Sequence, residues 1–345
     1  MRVNHIVLHG AHLMNLLKAS SLFLILSTSL FAVSGCAADT DSEANDGESE
    51  VAEDAITDAT NTNYWVVTRR DMRKCVAPLC GGFFVKRVNR ATTVCADGKP
   101  AAECYVSSIG YGGMDLSARE EDTFRAAVEG GRAVIKARQY KTRWNNTTIG
   151  TLKANEGWIG ATGSAADGTF FRVFDNGIRC IKAPCPSTTA TALNGGDSYN
   201  VIKVGLENTA TPASQESLDR ASSALGTKEG ILLAGGVALP KCLPNSNCGP
   251  FVNASEFYLR FKHTENVSCG GHTITPTYCN DGQFCNWKPG DICGAADAPG
   301  KCAYKPEICN KMFSPVCGCD GKTYSNSCMA NAAGVSVSKN GACAK

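Results

Sequence analysis

The sequence predicts an α+β protein with a mainly antiparallel, internally duplicated domain, followed by a small disulfide-rich module. Three observations predict this arrangement. Two long stretches in the middle of the chain resemble each other in the order of their apolar runs, basic residues and cysteines. The chain has 19 cysteines, and eighteen remain when Cys36, at the end of a predicted export signal, is left out. An even number of cysteines in an exported chain indicates a disulfide framework. The last ~40 residues are too few to be held by hydrophobic burial alone and require cross-links.

Residues 1–35 are predicted to be a lipoprotein signal peptide. Lys18 is followed by the apolar run SLFLILSTSLFAV and then by Ser34-Gly35-Cys36. The run is shorter than the ~20 residues of a membrane-spanning helix, which favours a cleaved signal. Val-Ser-Gly-Cys resembles a bacterial lipobox, and this resemblance implies lipidation of Cys36 and, without a following aspartate, an outer-membrane location. The alternative is an ordinary secretory signal with a chance cysteine.

Residues 36–61 are predicted to be the lipidated cysteine and an acidic disordered tether. The stretch 37–60 contains nine acidic residues and no basic ones. Low hydrophobicity and charge of one sign are typical of a chain that forms no core. The acidic residues lack the spacing of a calcium-binding loop. The net charge of the whole chain is only +2, which gives no indication of a nucleic-acid partner.

Residues 62–262 are predicted to be a duplicated α+β domain. Stretches 64–89 and 170–194 each contain an apolar run, a basic residue, a cysteine pair around a proline, and a second run. We interpret both as β-hairpins closed by a local disulfide, and the cysteines are Cys75, Cys80, Cys180 and Cys185. Downstream, 104–140 and 198–237 share the order strand, amphipathic helix, strand. Ser117 with Glu120 has capping-box spacing, and Ser214 with Glu216 marks the second helix start.

Two further cysteine pairs belong to this domain. Cys95 and Cys104 flank a turn-rich loop that one bridge would close. Cys242 and Cys248 are interpreted as opening a partial third unit that ends in FYLRF, residues 257–261. The domain resembles an uncharacterised domain of bacterial lipoproteins, and this resemblance implies no activity.

The duplicated domain offers little for catalysis. The mature chain has no histidine before His263, so a Ser-His-Asp or Cys-His site lacks its usual base. No glycine-rich phosphate loop follows a strand. Trp65, Trp144 and Trp158 would suit a binding groove, but aromatic side chains beside strands usually belong to a core, which is the favoured interpretation. We therefore predict that the chain is not an enzyme and uses no cofactor.

Residues 263–301 are predicted to be a cysteine-rich connector. They are rich in Gly, Asp and Pro and contain four cysteines, at positions 269, 279, 285 and 293. The eighteen cysteines divide into groups of eight, four and six along the chain, which allows each group to close upon itself. Zinc is the competing interpretation, but the mature chain has only His263 and His272, and an oxidising compartment favours bridges. No metal site is predicted.

The C-terminal residues 302–345 have a specific pattern. Seven residues separate Cys309 from Cys317 and ten separate Cys317 from Cys328. Asp320-Gly321 suits a tight turn between short strands, and 325–334 suits a short helix ended by Gly334. The ordered run that carries a resemblance is Pro315, Val316, Cys317, Gly318, Asp320, Gly321, Thr323, Tyr324, Asn326, Cys328. It resembles a Kazal-type serine protease inhibitor domain over about residues 302–343, which implies a short helix and a small antiparallel sheet.

The resemblance implies bridges Cys309–Cys328 and Cys317–Cys343. It also shows two departures. The usual fifth cysteine, shortly after Cys328, is missing, and Cys319 stands where the family commonly has serine. The simplest interpretation is a third bridge between Cys302 and Cys319.

The resemblance also implies an activity, inhibition of trypsin-like serine proteases. Lys311, two residues after Cys309, takes the position that enters the protease's primary pocket, where a lysine would meet an aspartate. The reactive bond would be Lys311–Met312. The rest of the implied site is the loop residues Cys309, Asn310, Phe313 and Ser314, with Asn326 bracing the loop and Tyr324 and Pro315 packing behind it. The alternative is a surface-binding lipoprotein in which this module is a non-inhibitory scaffold.

Overall fold

The structure is a computed structural model that describes residues 54–55, 62–243, 248–271 and 277–344. The predicted signal peptide, Cys36, most of the predicted tether and His272 lie outside the described residues. Within the described ranges, no helix has the length and apolar character needed to cross a bilayer.

The first half of the main domain forms a closed ring of five strands. Its elements are β1 (Asp54–Ala55), β2 (Asn63–Arg70), β3 (Phe83–Arg87), β4 (Thr93–Val94), β5 (Pro100–Ala101), β6 (Cys104–Gly110), α1 (Ala118–Glu129), β7 (Ala133–Trp144) and β8 (Thr147–Gly160). Strand β2 pairs with β3 and β7, and β3 pairs with β6. Strand β6 runs parallel to β8, and β8 closes the ring by pairing with β7.

The second half, which we call the second ring, has a similar order of pairings, with two short strands in place of the continuous β6 of the first half. Its elements are β9 (Thr169–Asp175), β10 (Thr188–Ala192), β11 (Ser198–Val201), β12 (Lys203–Gly205), α2 (Gln215–Leu225), β13 (Ile231–Ala238) and β14 (Phe251–Phe261). Strand β9 pairs with β10 and β13, and β10 pairs with β11. Strand β12 runs parallel to β14, and β14 pairs with β13. The two rings meet where β8 pairs with β14. The prediction of a mainly antiparallel sheet is confirmed, since the parallel pairings of this sheet are β6–β8 and β12–β14.

The predicted third unit is wrong. Strand β14, which includes FYLRF, is the last strand of the second ring. The side chains of Val252, Ala254, Phe257 and Leu259 lie in the core of that ring beside those of β9 and β13. The Cys242–Cys248 bridge closes the loop between β13 and β14. The cysteine pair therefore marks a connection inside the second half.

Each ring is covered by one helix whose start the sequence indicated. The Ser117 hydroxyl accepts a hydrogen bond from the Glu120 backbone N–H, and the Glu120 carboxylate accepts one from the Ser117 N–H, so the predicted capping box is confirmed. The Ser214 hydroxyl caps α2 through the Ser217 N–H at 3.1 Å. In the first ring Phe124 of α1 stacks on Phe261, with ring centroids 5.3 Å apart.

The aromatic and cysteine predictions for this domain have clear outcomes. Trp65 and Trp158 are buried in the core, as favoured, whereas Trp144 is half-buried at the end of β7. The hairpins β2–β3 and β9–β10 each carry a bridge in their connection. The bonded pairs of the main domain are Cys75–Cys80, Cys95–Cys104, Cys180–Cys185 and Cys242–Cys248.

The rest of the chain forms two small three-stranded sheets. Their elements are β15 (Ser268–Cys269), β16 (Gln283–Asn286), a 3-10 helix (Ile292–Asp297), β17 (Gly300–Tyr304), β18 (Val316–Gly318), β19 (Thr323–Tyr324), α3 (Ser327–Ala332) and β20 (Val337–Asn340). Strand β17 lies between β15 and β16, and β18 lies between β19 and β20. Because β17 spans residues 300–304, it continues across the boundary predicted between connector and module.

Candidate functional site: an exposed loop anchored by disulfides

The loop from Cys309 to Ser314 exposes one basic and two large apolar side chains in succession. Cys309 is bonded to Cys328, the second residue of α3. Lys311 is exposed, and Met312 and Phe313 expose 69% and 78% of their surface. Exposing two large apolar side chains to water is unfavourable, because burying apolar surface contributes ~25 cal/mol of free energy per Å². This exposure indicates a surface that binds a partner.

Asn326 holds the backbone of this loop from behind. Its side-chain Nδ2 donates to the carbonyl of Asn310 at 3.1 Å and to that of Met312 at 2.9 Å. Its Oδ1 accepts from the Met329 N–H at 2.9 Å, which makes it the N-cap of α3. Asn326 itself is buried. The carbonyls on both sides of Lys311 are therefore fixed to a helix terminus, while the lysine side chain projects into solvent.

The end of the loop is fixed by the small sheet. The Ser314 N–H donates to the Ser325 carbonyl at 2.8 Å, and the Pro315 carbonyl accepts from the Gly341 N–H at 2.8 Å. Tyr324 lies opposite Val316 in the β18–β19 pairing, and its hydroxyl donates to Asp320. Pro315 and Tyr324 thus belong to the support of the loop.

The turn and helix of this module lie where the sequence placed them. The Gly321 N–H donates to the Gly318 carbonyl, and Gly321 has φ +75° in the turn between β18 and β19. Cys317 in β18 is bonded to Cys343, which follows β20. The Cys309–Cys328 bridge therefore joins the loop to α3, and the Cys317–Cys343 bridge joins the central strand β18 to the C-terminal residues.

The third predicted bridge is wrong. Cys302 is bonded to Cys279, and Cys319 is bonded to Cys293. Cys302 lies in the central strand β17, fully buried within the connector sheet. Cys302 therefore lies beside the connector cysteines, whereas Cys319 follows β18 in the other small sheet. The cysteine groups of connector and module therefore do not close separately.

The connector thus supplies the cysteine partners that the module lacks for Cys302 and Cys319. Besides the two shared bridges, the buried Ser336 hydroxyl accepts from the Trp287 N–H and donates to the Cys285 carbonyl, both at 3.0 Å. The Cys319 N–H donates to the Ser336 carbonyl at 2.9 Å. Sequence reasoning missed this coupling, although the missing fifth cysteine and the extra Cys319 were its signal.

Removing the Cys293–Cys319 bridge should loosen the inhibitor-like module selectively. This bridge closes a 26-residue separation, and loss of such a cross-link typically costs about 2–4 kcal/mol. In the Cys293→Ala/Cys319→Ala variant of the protein, we expect faster amide hydrogen exchange in β18 and β20. The control is Cys75→Ala/Cys80→Ala, which should leave these amides unchanged. Detection of a Cys302–Cys319 bridge in non-reducing peptide maps of the unaltered protein would contradict the assignment.

Three sulfur atoms in the connector lie close enough to resemble a metal site. The Sγ atoms of Cys269, Cys279 and Cys302 are within 4.8 Å of one another. They belong to two neighbouring disulfides, Cys269–Cys285 and Cys279–Cys302. Since metals are bound by thiolates, the cluster is explained by the packing of two bridges.

A buried carboxylate joins the main domain to the connector. Glu120, at the first turn of α1, accepts from the backbone N–H groups of Thr264 at 2.8 Å and Glu265 at 2.9 Å. The ring Nδ1 of His263 lies 2.7 Å from the same carboxylate. Burial alone would raise the pKa of Glu120, but these backbone N–H groups, that of Ser117 and the His263 ring outweigh it and lower the pKa to about 2. The connector is therefore held on the body by a buried carboxylate with several hydrogen bonds.

Glu120 should make the junction sensitive to acid. Its pKa is lowered from 4.5 to about 2, so its contribution is present above pH ~4.5 and is lost as the pH falls towards 2. We expect Glu120→Gln to lower the free energy of unfolding by about 3 kcal/mol at pH 7. The difference from the unaltered protein should shrink between pH 4.5 and 2 in urea titrations. Asp122→Asn, on the exposed side of α1, serves as the control, and an equal loss in both variants would contradict the role of Glu120.

The cleft between α2 and the connector does not form a comparable binding site. It is lined by Arg220, Arg260 and Lys262, among others. Each of these cations has a carboxylate partner, namely Asp281, Glu156 and Glu229 respectively. These ion pairs account for the cations that line the cleft, so the cleft offers no unpaired charge among these three residues. The exposed loop therefore remains the candidate functional site.

Comparison with known proteins assigns a class to the module. Residues 302–343 match the Kazal-type serine protease inhibitor domain family, in agreement with the resemblance carried by residues 309–328. The fold and the loop therefore define a protein with an α+β body and a serine protease inhibitor fold at its C-terminal end. An inhibitor family is consistent with the prediction that the chain is not an enzyme.

The body has a family of its own. Residues 64–264 match the family described as Domain of unknown function (DUF6748). Because this match covers more than half of the 345 residues, the chain belongs to the DUF6748 family. No curated protein and no solved structure matches the chain.

Proposed function

We propose that this protein is a membrane-anchored inhibitor of trypsin-like serine proteases. The observation that carries the proposal is the loop geometry. Asn326 fixes the two carbonyls that flank Lys311, and the side chains of Lys311, Met312 and Phe313 are exposed. A lysine presented on a loop whose backbone is held from behind is suited to a pocket with an aspartate at its base.

The same geometry supports slow, reversible cleavage. The loop would occupy the protease cleft as a substrate does, with Lys311–Met312 at the catalytic serine. Both ends of the loop are anchored, by Cys309–Cys328 and by β18. The new termini would therefore stay together after cleavage, and religation would compete with release. Because the loop is ordered before binding, little conformational entropy remains to be lost.

The test is a titration of trypsin with the mature, oxidised protein. We expect activity to fall linearly to zero at one inhibitor per enzyme when both concentrations exceed the dissociation constant. Chymotrypsin, whose primary pocket is apolar, should be inhibited much less. No inhibition of trypsin-, chymotrypsin- and subtilisin-like enzymes, with every cysteine shown to be bridged, would leave the module as a disulfide scaffold on a surface-binding lipoprotein.

The anchoring and the domain organisation are parts of the same proposal. Cys36 would carry the lipid, residues 36–61 would serve as the tether, and the protein would lie in the outer membrane. Residues 62–262 would hold the inhibitor away from the bilayer. Their origin by internal duplication is supported by the similar order of strand pairings in the two halves, in which β11 and β12 together take the place of β6. Loss of membrane fractionation on Cys36→Ala tests the anchor.

A further inference from the structure

The connection between β2 and β3 keeps apolar side chains in water. Met72 and Val76 expose 80% and 73% of their surface, and Leu79 exposes 37%. The residues from Met72 to Ala77 are exposed without interruption. We call residues 72–79 the first tip. Exposed apolar side chains that are grouped in one loop indicate a surface that binds another molecule.

The backbone of the first tip is fixed in this form. The Cys75–Cys80 bridge closes it, and inside the bridge the Leu79 N–H donates to the Val76 carbonyl at 3.0 Å. The Pro78 carbonyl accepts from the Tyr105 hydroxyl of β6 at 2.8 Å. The loop is therefore tied to itself and to the sheet, and its apolar side chains are held at the surface.

The hairpin that carries the first tip is basic. Its residues Asn63–Arg87 include six basic side chains and one acidic side chain. Lys74, within the first tip, has no ion pair among the residues that the structure describes. Three arginines have carboxylate partners but keep more than half of their side-chain surface exposed, and these pairs are Arg69–Glu103, Arg70–Glu129 and Arg73–Asp71. The exposed apolar side chains therefore lie beside an excess of positive charge.

The corresponding hairpin of the second half differs in charge. The Cys180–Cys185 bridge closes the connection between β9 and β10, where Ile181 is fully exposed and Ile178 exposes 40% of its surface. We call residues 178–185 the second tip. Residues Thr169–Ala192 contain only three basic side chains, again with one acidic side chain. The two tips therefore share a bridge and exposed apolar side chains, whereas the larger excess of positive charge belongs to the first.

A bilayer that contains anionic lipids matches this combination of side chains. Acyl chains accept apolar side chains without a fitted pocket, and headgroup phosphates attract the cations beside them. A nucleic acid would also attract the cations, but its bases stack on aromatic rings, which Met72, Val76 and Leu79 lack. We propose that the first tip docks the body on an anionic lipid surface, with Met72 and Val76 at the acyl boundary and Lys74 among the phosphates.

Docking through the first tip determines which end of α1 is nearer to the lipid. Arg70, the last residue of β2, pairs with Glu129 at the C-terminal end of α1 at 3.4 Å. Glu120, in the first turn of the same helix, holds the connector. These two contacts are roughly 14 Å apart along the helix axis, at 1.5 Å per residue. The connector therefore lies at the end of α1 that is farther from the tip. This docking depends neither on protease inhibition nor on a lipid at Cys36.

Vesicle binding by the protein carrying Cys36→Ala tests this proposal, since all binding then comes from the protein surface. We expect co-sedimentation with phosphatidylglycerol vesicles but not with phosphatidylcholine vesicles, and salt should weaken it. Met72→Ser/Val76→Ser should lower the partition coefficient at least about tenfold, because less apolar surface is buried in lipid. Lys74→Gln should lower it about fivefold. The matched control is Ile178→Ser/Ile181→Ser in the second tip, which should leave binding unchanged.

Amide hydrogen exchange locates the contact. On adding phosphatidylglycerol vesicles, the amides of residues 73–79 should exchange more slowly, whereas those of residues 178–185 should not change. This measurement does not depend on any substitution, so it also tests the proposal if a variant folds poorly.

Several results would overturn the proposal. Absence of binding to phosphatidylglycerol vesicles, or unchanged binding by Met72→Ser/Val76→Ser, would show that the first tip does not contact lipid. An equal loss in the control variant would show a non-specific effect of exposed apolar side chains. Equally tight binding to duplex DNA, unaffected by Met72→Ser/Val76→Ser, would assign the cations to a nucleic acid. Protection of residues 73–79 that rises with protein concentration in the absence of vesicles would assign the tip to a second copy of the chain.

Discussion

Replacing Lys311 with alanine is expected to abolish stoichiometric inhibition of trypsin and to raise the inhibition constant by at least about 10³-fold. A residue that fills a central pocket and pairs there with a buried charge can account for 4 kcal/mol or more of binding energy. Alanine leaves the aspartate of the protease pocket without a partner, which adds to the loss. The measurement is a progress-curve titration of trypsin with the unaltered protein and the Lys311→Ala variant.

Two control variants separate this effect from general changes of charge. Lys339→Ala removes another exposed lysine of the same module and should leave inhibition unchanged. Lys311→Leu should transfer inhibition from trypsin to proteases with an apolar pocket, since the pocket selects the side chain at this position. Unaltered inhibition by Lys311→Ala would show that the reactive bond lies elsewhere.

Replacing Asn326 is expected to weaken inhibition through the backbone of the loop. Its side chain makes two hydrogen bonds to the loop and one to α3. Each loop hydrogen bond contributes about 1 kcal/mol, so Asn326→Ala should weaken inhibition by about 10- to 100-fold and accelerate permanent cleavage at Lys311–Met312. It should also destabilise the module by about 1 kcal/mol through loss of the helix N-cap.

Asn326→Asp separates the two functions of this residue. Aspartate is as good an N-cap as asparagine, so the cap to Met329 is retained. It has no N–H to donate to the carbonyls of Asn310 and Met312. We expect α3 to keep its N-cap while inhibition weakens, measured by amide hydrogen exchange in α3 and by the inhibition constant. If Asn326→Asp inhibited as well as the unaltered protein, loop bracing would not be required.

Local features of the fold were predictable because they depend on neighbours in the chain. Ser117 and Glu120 are three residues apart, so their reciprocal capping is readable from sequence. The hairpin bridge Cys75–Cys80 spans five residues and needs only a tight turn between two apolar runs. The Asp320-Gly321 turn and the short helix after Asn326 follow from the same local chemistry.

The disulfides of the connector were not predictable in this way. Cys302 lies close to Cys309 in sequence, and this closeness predicts that both belong to the same module. Pairing of β17 between β15 and β16 takes it into the connector sheet instead. Bridges follow distances in space, and the distance between two cysteines on different strands depends on register, which no single segment encodes.

The class of the C-terminal module can be read from the order of its residues. Its ordered cysteines and the residues around them identify the inhibitor-like module, and Lys311 is the residue that this module presents. Only the tertiary structure decided how that loop is supported. Asn326 reaches both carbonyls beside Lys311, Glu120 joins the connector to the body, and the Cys293–Cys319 bridge joins the connector to the module. Each of these contacts joins residues brought together by folding, and such contacts depend on packing and strand pairing across the whole chain.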